Sequence, residues 1–572
     1  MYKKLKRFEQ ILFDVCAVLL VLFYTYSSVI DPAATQYHRG VYIIFTYVLV
    51  FLLYRSKSTW MRVVDYLLIL ASIASLGYWI LNFEAINYRI GIETPLDTAM
   101  AVTGVLISIE LARRVVGNVF VIIGVTMLAY GVYGSLMPDL ISHAGDTFPQ
   151  LCVSIFYRGD GIFGIMANVL ATYILLFVLF GAFLNKSGAQ KFFIDLSLAS
   201  VGHKVGGPGK VAVIASGLFG SISGSAIANV VSTGAFTIPM MKKAGFKPHQ
   251  AGGIEPAASI GGMFMPPIMG AGGFLMAELT GLPYSSIMAV SLFPALMYFF
   301  SVFLMVHYEA KKLNIIGEPT EHSGWQILKG GWYYLVPLIL ITLLMFLGYS
   351  PAYAAVIGLV TCIAISWFRP DTRIGPKRFL EAAREGTENS LKIGATVGVI
   401  GIIIGVLTYS GLMLTLADIV IELADGSLFL TIALIALVSL IMGMGVPVTA
   451  AYLIIAVVAV PALTHLGVNE LAAHMIVYWL SQDSNITPPV CIAAFAGATI
   501  AKANMWKTAF SAFKFAKFLY LGAFLFGFVP GFSLDGSTLD IVKAFVIILL
   551  GTWLYSYILS GIWLKMSPVK KA

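Results

Sequence analysis

Apolar runs that are candidates to cross a bilayer return along the whole chain, and no polar stretch between them is long enough to build a soluble domain. A span takes about 20 apolar residues. Candidate runs lie near residues 10–30, 41–54, 63–82, 98–112, 118–135, 162–184, 285–306, 333–349, 351–368, 392–411, 427–444, 513–529 and 540–563. Of 572 residues, 59% are hydrophobic and only 11% charged, with mean hydropathy +0.90, whereas a soluble domain carries roughly 25% charged residues. The expected fold class is an all-α polytopic membrane protein.

The formal charge of +8 does not argue for a nucleic-acid partner, because the basic residues sit at loop ends, where cytoplasmic loops are enriched in Lys and Arg. Placing Lys3, Lys4, Lys6 and Arg7 in the cytoplasm makes the next loops alternate: Asp31 outside, Arg55 and Arg62 inside, Glu84 and Glu93 outside, Arg113 and Arg114 inside. The first run is of spanning length and no small-residue cleavage site follows it, so it reads as a retained helix. Cys16, Cys152, Cys362 and Cys491 stand far apart in apolar surroundings, without metal or redox spacing. They read as core thiols.

Two polar, Gly/Ser/Pro-rich segments interrupt the apolar pattern at a constant offset of 222 residues. The first runs from GSISGSAIANVVSTGAFTIP (Gly220 to Pro239) to EPAASIGGMFMPPI (Glu255 to Ile268), the second from GMGVPVTAAYLIIAVVAVP (Gly443 to Pro461) to LSQDSNITPPV (Leu480 to Val490). Pro239 falls on Pro461, Ser259 on Ser481, and Pro266-Pro267 on Pro488-Pro489. In a membrane protein, two corresponding segments with helices broken by Gly and Pro point to a transporter's substrate and ion site.

Unwound backbone at bilayer depth is tolerated only when buried in protein or lining a wet cavity. Gly220, Ser221, Ser223, Gly224, Ser225 and Asn229 are therefore expected to form a break whose carbonyls and hydroxyls face a site, with Ser225 and Asn229 at the tip of a hairpin. Gly443, Gly445, Pro447 and Thr449 are the candidates in the second copy. Freed N–H groups at a half-helix start suit a carboxylate, and small hydroxyls and bare carbonyls suit a dehydrated alkali cation. The competing reading is that Ser and Gly only permit tight helix packing.

The Pro-Pro pairs remove N–H donors and force the preceding residue out of the helical region. Around them lie Ser259 in the first copy, and Ser481, Asp483, Ser484, Asn485 and Thr487 in the second. Glu255 and Asp483 stand out, since intramembrane carboxylates are costly and functional by default; each can bind a cation or carry a proton. Sodium is a candidate near Asp483. No cofactor is expected beyond a coupling ion, sodium or proton.

At these residues the chain resembles the large membrane subunit of TRAP (tripartite ATP-independent periplasmic) transporters. The likeness rests on SISGSAIANVVSTGAFTIPMMKKAGF, EPAASIGGMFMPPIMGAGGFLMAELTG, GVPVTAAYLIIAVVAVPAL and DSNITPPVCIAAFAGATIA. Residues 1–140 look like the four-helix small subunit fused in front, 141–160 like a connector, and 161–572 like the large subunit, with repeats around 205–300 and 427–520. The resemblance implies an elevator transporter with two inverted repeats and two re-entrant helical hairpins, in a bacterial or archaeal inner membrane. It also implies a separate periplasmic binding protein that delivers a small organic anion. The fused arrangement, with the Glu255-Pro256-Ala257-Ala258-Ser259 and Asp483-Ser484-Asn485 sequences, looks most like the branch whose binding proteins are of the TAXI type.

A second reading within transport is a dicarboxylate symporter working without a binding protein, since Ser484-Asn485-Ile486-Thr487 resembles the hairpin motifs of that class. An intramembrane enzyme is disfavoured: no HExxH, GxSxG or GxGD pattern is present, and the eight histidines lack ligand spacing. A channel is disfavoured by two unlike half-sites on one chain.

Overall fold

A computed structural model describes residues 2–563 except Lys57, 318–321 and 444–445. It is 81% helix, without strands among the described residues, as a bilayer demands of a chain whose backbone groups must pair within each segment. Among the described residues, eleven helices are long and apolar enough to cross a membrane. Three expected spans are shorter: Asn118–Val132, Pro351–Ser366 and Leu428–Met442 have 15, 16 and 15 residues. Hydropathy adds up apolar residues regardless of where the backbone turns. Left-handed glycines, Gly117 at φ 115° and Gly348 at φ 89°, precede the first two helices, and Gly443 caps the third.

The chain falls into two compact units, one of Met1–Ser187, Tyr349–Leu423 and Gly445–Pro461, the other of Gly188–Gly348, Ala424–Met444 and Ala462–Ala572. The first unit opens with the helices Arg7–Val29, Thr35–Leu53, Thr59–Leu81 and Pro95–Val115. Their ends are fastened by charge. Asp97 closes a capping box with Thr94 and also accepts from Arg89 at 2.6 and 2.8 Å and from Tyr78 at 2.7 Å. Arg114 meets Asp65 at 2.6 Å, and Arg55 meets Glu9 at 3.0 Å.

The charged stretch after residue 370 forms the amphipathic helix Pro376–Gly394. It acts as a brace: Arg384 makes two 2.8 Å bonds to Asp14, Lys186 lies 3.2 Å from Glu385, and a Cβ at Gly386 would come within 3.1 Å of Leu179 Cα. Within the stretch expected as a connector, Phe148–Tyr157 buries Leu151, Cys152, Ile155 and Phe156 and packs on Pro95–Val115. All four cysteines are buried and unpaired.

The second unit holds the first repeat whole. Gly207–Ser223 and Ala226–Lys243 form a hairpin, followed by Pro248–Phe264, the Pro-Pro loop, Gly270–Thr280 and the 29-residue helix Tyr284–Lys312. The 222-residue offset reappears in the elements: Val448–His465 answers Ala226–Lys243 at both ends, Glu470 answers Pro248 and Ile492 answers Gly270 as helix starts. Pro266-Pro267 and Pro488-Pro489 are both cis, and Met269 and Cys491 are both left-handed. The single helix Tyr284–Lys312 is answered by two, Met505–Phe515 and Phe518–Phe528.

The hairpin break is narrower than the composition suggests. Gly220, Ser221 and Ser223 complete the first helix, and only Gly224 (φ 61°) and Ser225 (φ −144°) leave helical geometry. Gly220 serves packing instead. A Cβ on Gly262 would sit 2.4 Å from Gly220 Cα and 2.7 Å from its carbonyl carbon, so two helix backbones cross where neither has a side chain. Gly262→Ala is expected to cost about 1–3 kcal/mol through overpacking, read as a lower unfolding midpoint in nanodiscs. Gly551→Ala, with nothing within 4 Å of the added carbon, should leave the midpoint unchanged; equal midpoints for both variants would disprove the close crossing.

Candidate functional site

Glu255 is wholly buried on Pro248–Phe264. Ser216 donates to its Oε1 at 2.5 Å, Thr233 donates to the same oxygen, and Thr237 donates to Oε2. Asn229, Thr233 and Thr237 recur every four residues and so share one face of Ala226–Lys243. Gly234 leaves room for the acid, since a Cβ there would lie 3.0 Å from Glu255 Cγ. No Lys or Arg among the described residues pairs with Glu255, so neutral hydroxyl dipoles alone compensate it.

Asn229 is not at the hairpin tip. It is fully buried, and its Nδ2 donates to Ser216 O at 3.0 Å, passing Gly220, whose Cβ would have met it at 2.8 Å. The tip belongs to Ser225, whose Oγ accepts from Ala228 N at 3.3 Å and caps the second helix. Ser221 turns back onto Leu218 O at 2.9 Å, and Ser223 reaches Ser225 O at 3.5 Å. Ser259 is buried, with no hydrogen-bond partner for its Oγ.

Three tyrosines tie down the helix and loop around Pro266-Pro267. Tyr478 donates to Met263 O at 2.8 Å and shares that proton with Met269 O. Tyr284 reaches Pro267 O at 3.0 Å and Ile268 O at 2.5 Å, and Tyr298 reaches Ala257 O at 2.7 Å. Carbonyls freed by the loop thus have protein partners.

The second loop is far less satisfied. Asp483, Ser484 and Asn485 form a 3-10 turn, buried at 2%, 3% and 4% exposure. Among the described residues Asp483 Oδ1 and Gln482 Nε2 have no hydrogen-bond partner, while Asn485 donates to Gln482 Oε1 at 3.3 Å. Ser481 bonds Tyr478 O at 2.7 Å within its own helix, and Thr487 is hydrogen-bonded to the Tyr520 hydroxyl. Gly443 lies against this turn: a Cβ there would meet Ser484 Cβ at 2.5 Å. Thr449 is buried with an unpartnered Oγ1, and Pro447 is half-buried. Gly445 lies outside the described residues.

Sequence reasoning missed Ser216, Thr233, Thr237, Gln482 and the tyrosines. A signal existed for some of them. Asn229, Thr233 and Thr237 are spaced on one helical face, and Tyr298 falls on Tyr520 at the 222-residue offset. Nothing in the sequence marks Ser216, whose part depends on a helix crossing.

A helical chain with eleven spanning-length helices among its described residues and two offset, buried polar loops is a polytopic membrane transporter. The chain belongs to the family described as "Tripartite ATP-independent periplasmic transporter, DctM component", whose profile matches residues 103–532. That match begins within Pro95–Val115, so it takes in part of the block expected to be small-subunit-like. Among similar curated proteins is a putative TRAP transporter large permease protein of Haemophilus influenzae, 26% identical over 347 residues, covering 60% of this chain and 79% of that one. The 2,3-diketo-L-gulonate TRAP transporter large permease protein of Escherichia coli is 25% identical over 386 residues, with 67% and 88% covered. The C4-dicarboxylate TRAP transporter large permease protein of Pseudomonas aeruginosa is 24% identical over 410 residues, with 71% and 92% covered. A crystal structure of the Alcanivorax borkumensis YdaH transporter covers 78% of this chain and 98% of its own at 18% identity and TM-score 0.44.

Proposed function

We propose that this protein is the membrane part of a secondary active symporter that imports a small organic anion, a carboxylate, delivered by a periplasmic substrate-binding protein. The family match supports the tripartite arrangement, and relatives named for 2,3-diketo-L-gulonate and C4-dicarboxylate support a carboxylate substrate. The observation that carries ion coupling is the buried Asp483, whose Oδ1 has no hydrogen-bond partner among the described residues. A buried carboxylate held without a counter-charge is costly unless something binds it. A sodium ion or a proton meets that need, with Ser484, Asn485 and Thr487 supplying nearby oxygens.

In this reading the chain combines small and large subunits, its partner is of the TAXI type, and its N-terminus faces the cytoplasm of a bacterial or archaeal inner membrane. Transport follows an elevator movement of the half that carries the loops. Glu255, held by three hydroxyls, keeps the first half-site charged or protonated without a cation from the chain.

Uptake into proteoliposomes, with sodium and proton gradients imposed separately, tests the proposal. Uptake is expected only when the binding protein is added and only under one or both gradients. Full-rate uptake by the chain alone would overturn the tripartite reading, and uptake indifferent to both gradients would overturn the coupling.

A further inference from the structure

A cavity of about 320 Å³ opens in the second unit where the start of Pro248–Phe264 meets Met505–Phe515. Its wall includes Lys507, Ser511 and Lys514, which follow one another at helical spacing on a single face, together with His249 and Phe510. His249 Nδ1 and Ser511 Oγ lie 2.9 Å apart and hold the two elements in register.

The charge here is unbalanced. Glu309 is the carboxylate that meets this group, and it is already matched: Lys514 lies 3.0 Å away, Lys312 3.5 Å, and Gln250 donates at 2.8 Å. Lys507 is exposed and has no ion-pair partner among the described residues. Two lysines face one cavity, and the acid within reach is spent on one of them and on Lys312. A surplus cation at the wall of a cavity suits an oxyanion; the Ser511 hydroxyl is already used, donating to Lys507 O at 2.8 Å.

The rim indicates where that anion comes from. Met505–Phe515 opens the 24-residue apolar stretch Met505–Phe528, which is long enough to span. On the same short helix Trp506, Phe510 and Phe513 are 51%, 61% and 40% exposed. Tryptophan at the end of a span sits in the headgroup layer of a bilayer, as Trp506 does at the start of this stretch, and the exposed Phe510 and Phe513 suit the adjoining acyl region. Aromatic anchors beside paired lysines place the cavity where lipid phosphates lie, and its volume is in the range of a ligand pocket, roughly 300–1,000 Å³.

We propose that this pocket binds the phosphate headgroup of an anionic phospholipid, with Lys507 as the charged contact and Phe510 against the glycerol and upper acyl region. The site is separate from the polar loops, and its occupancy would fasten the helix that leads into Phe518–Phe528.

Native mass spectrometry of protein released from vesicles of mixed phosphatidylglycerol and phosphatidylcholine reads the preference directly. The wild type should retain phosphatidylglycerol over phosphatidylcholine. Lys507→Gln should weaken that retention about five-fold, the effect of one basic residue near an anionic surface; Lys507→Arg should restore it, and the exposed Lys377→Gln in the other unit should not change it. A second arm adds inorganic phosphate to protein in phosphatidylcholine nanodiscs and follows thermal unfolding. Stabilisation by phosphate with no selectivity for phosphatidylglycerol would make this a soluble-anion site and overturn the lipid assignment. Equal retention of both lipids without a phosphate effect, or retention unaltered in Lys507→Gln, would overturn the site itself.

Discussion

Asp483→Asn is expected to bring gradient-driven uptake down to background while the protein still inserts and folds. The substitution keeps the shape of the side chain and removes only its charge. The 3-10 turn around it is held by backbone bonds, Ile486 N to Asp483 O at 3.0 Å and Thr487 N to Asp483 O at 2.8 Å, which asparagine retains. Asp483 Oδ1 has no hydrogen-bond partner among the described residues, and asparagine keeps an oxygen to accept the Ser484 backbone N–H, so the fold gives up little. A bound cation, by contrast, loses the one formal negative charge of the Ser481–Thr487 cluster, and a transported proton loses its carrier. The measurement is uptake under imposed gradients beside an unfolding midpoint. Normal driven uptake in a folded Asp483→Asn protein would remove this carboxylate from coupling and leave Glu255 as the acid to test.

Glu255→Ala is expected to destabilise the second unit by about 3 kcal/mol, and Glu255→Gln by much less. Alanine strips the shared acceptor from three buried hydroxyls, and each unsatisfied buried polar group costs about 1–3 kcal/mol. Part of this is recovered locally, because Thr233 also bonds Asn229 O at 2.8 Å and Thr237 bonds Thr233 O at 3.2 Å. Glutamine keeps an acceptor oxygen for Ser216 and Thr233, and the Thr237 hydroxyl can reverse its role and accept from the new amide. Unfolding midpoints of the two variants in nanodiscs separate these cases. An alanine variant as stable as the wild type would show that the hydroxyl cluster does not brace the hairpin. Driven uptake that survives in Glu255→Gln would restrict this acid to a structural part.

Where the sequence misled, the cause was contact between segments distant in the chain. Gly220 reads as part of an unwound strip because Gly and Ser crowd together there, yet it remains helical and makes room for Gly262, 42 residues further on. Asn229 reads as a tip residue, yet its amide is drawn inward to Ser216 O. In each case composition reports what a residue tolerates, and the neighbour across the helix crossing determines which tolerance is used.

The sequence alone settled the membrane class, the helical content and the two-fold repeat. Apolar length dictates spanning helices wherever backbone groups cannot reach water, and a constant offset needs no structure to be seen. It also marked the Pro-Pro loops, since two adjacent residues without N–H groups cannot continue a helix. Only the tertiary structure decided how unlike the two loops are. Tyr478, 215 residues beyond Met263, and Tyr284 and Tyr298, from the helix Tyr284–Lys312, occupy carbonyls in and beside the first loop, while Asp483 and Gln482 in the second keep atoms without a hydrogen-bond partner among the described residues. Hydrogen-bond saturation depends on which donors the fold brings within 3 Å or so of each acceptor, and that is a property of the packed helices, which no local run of residues carries.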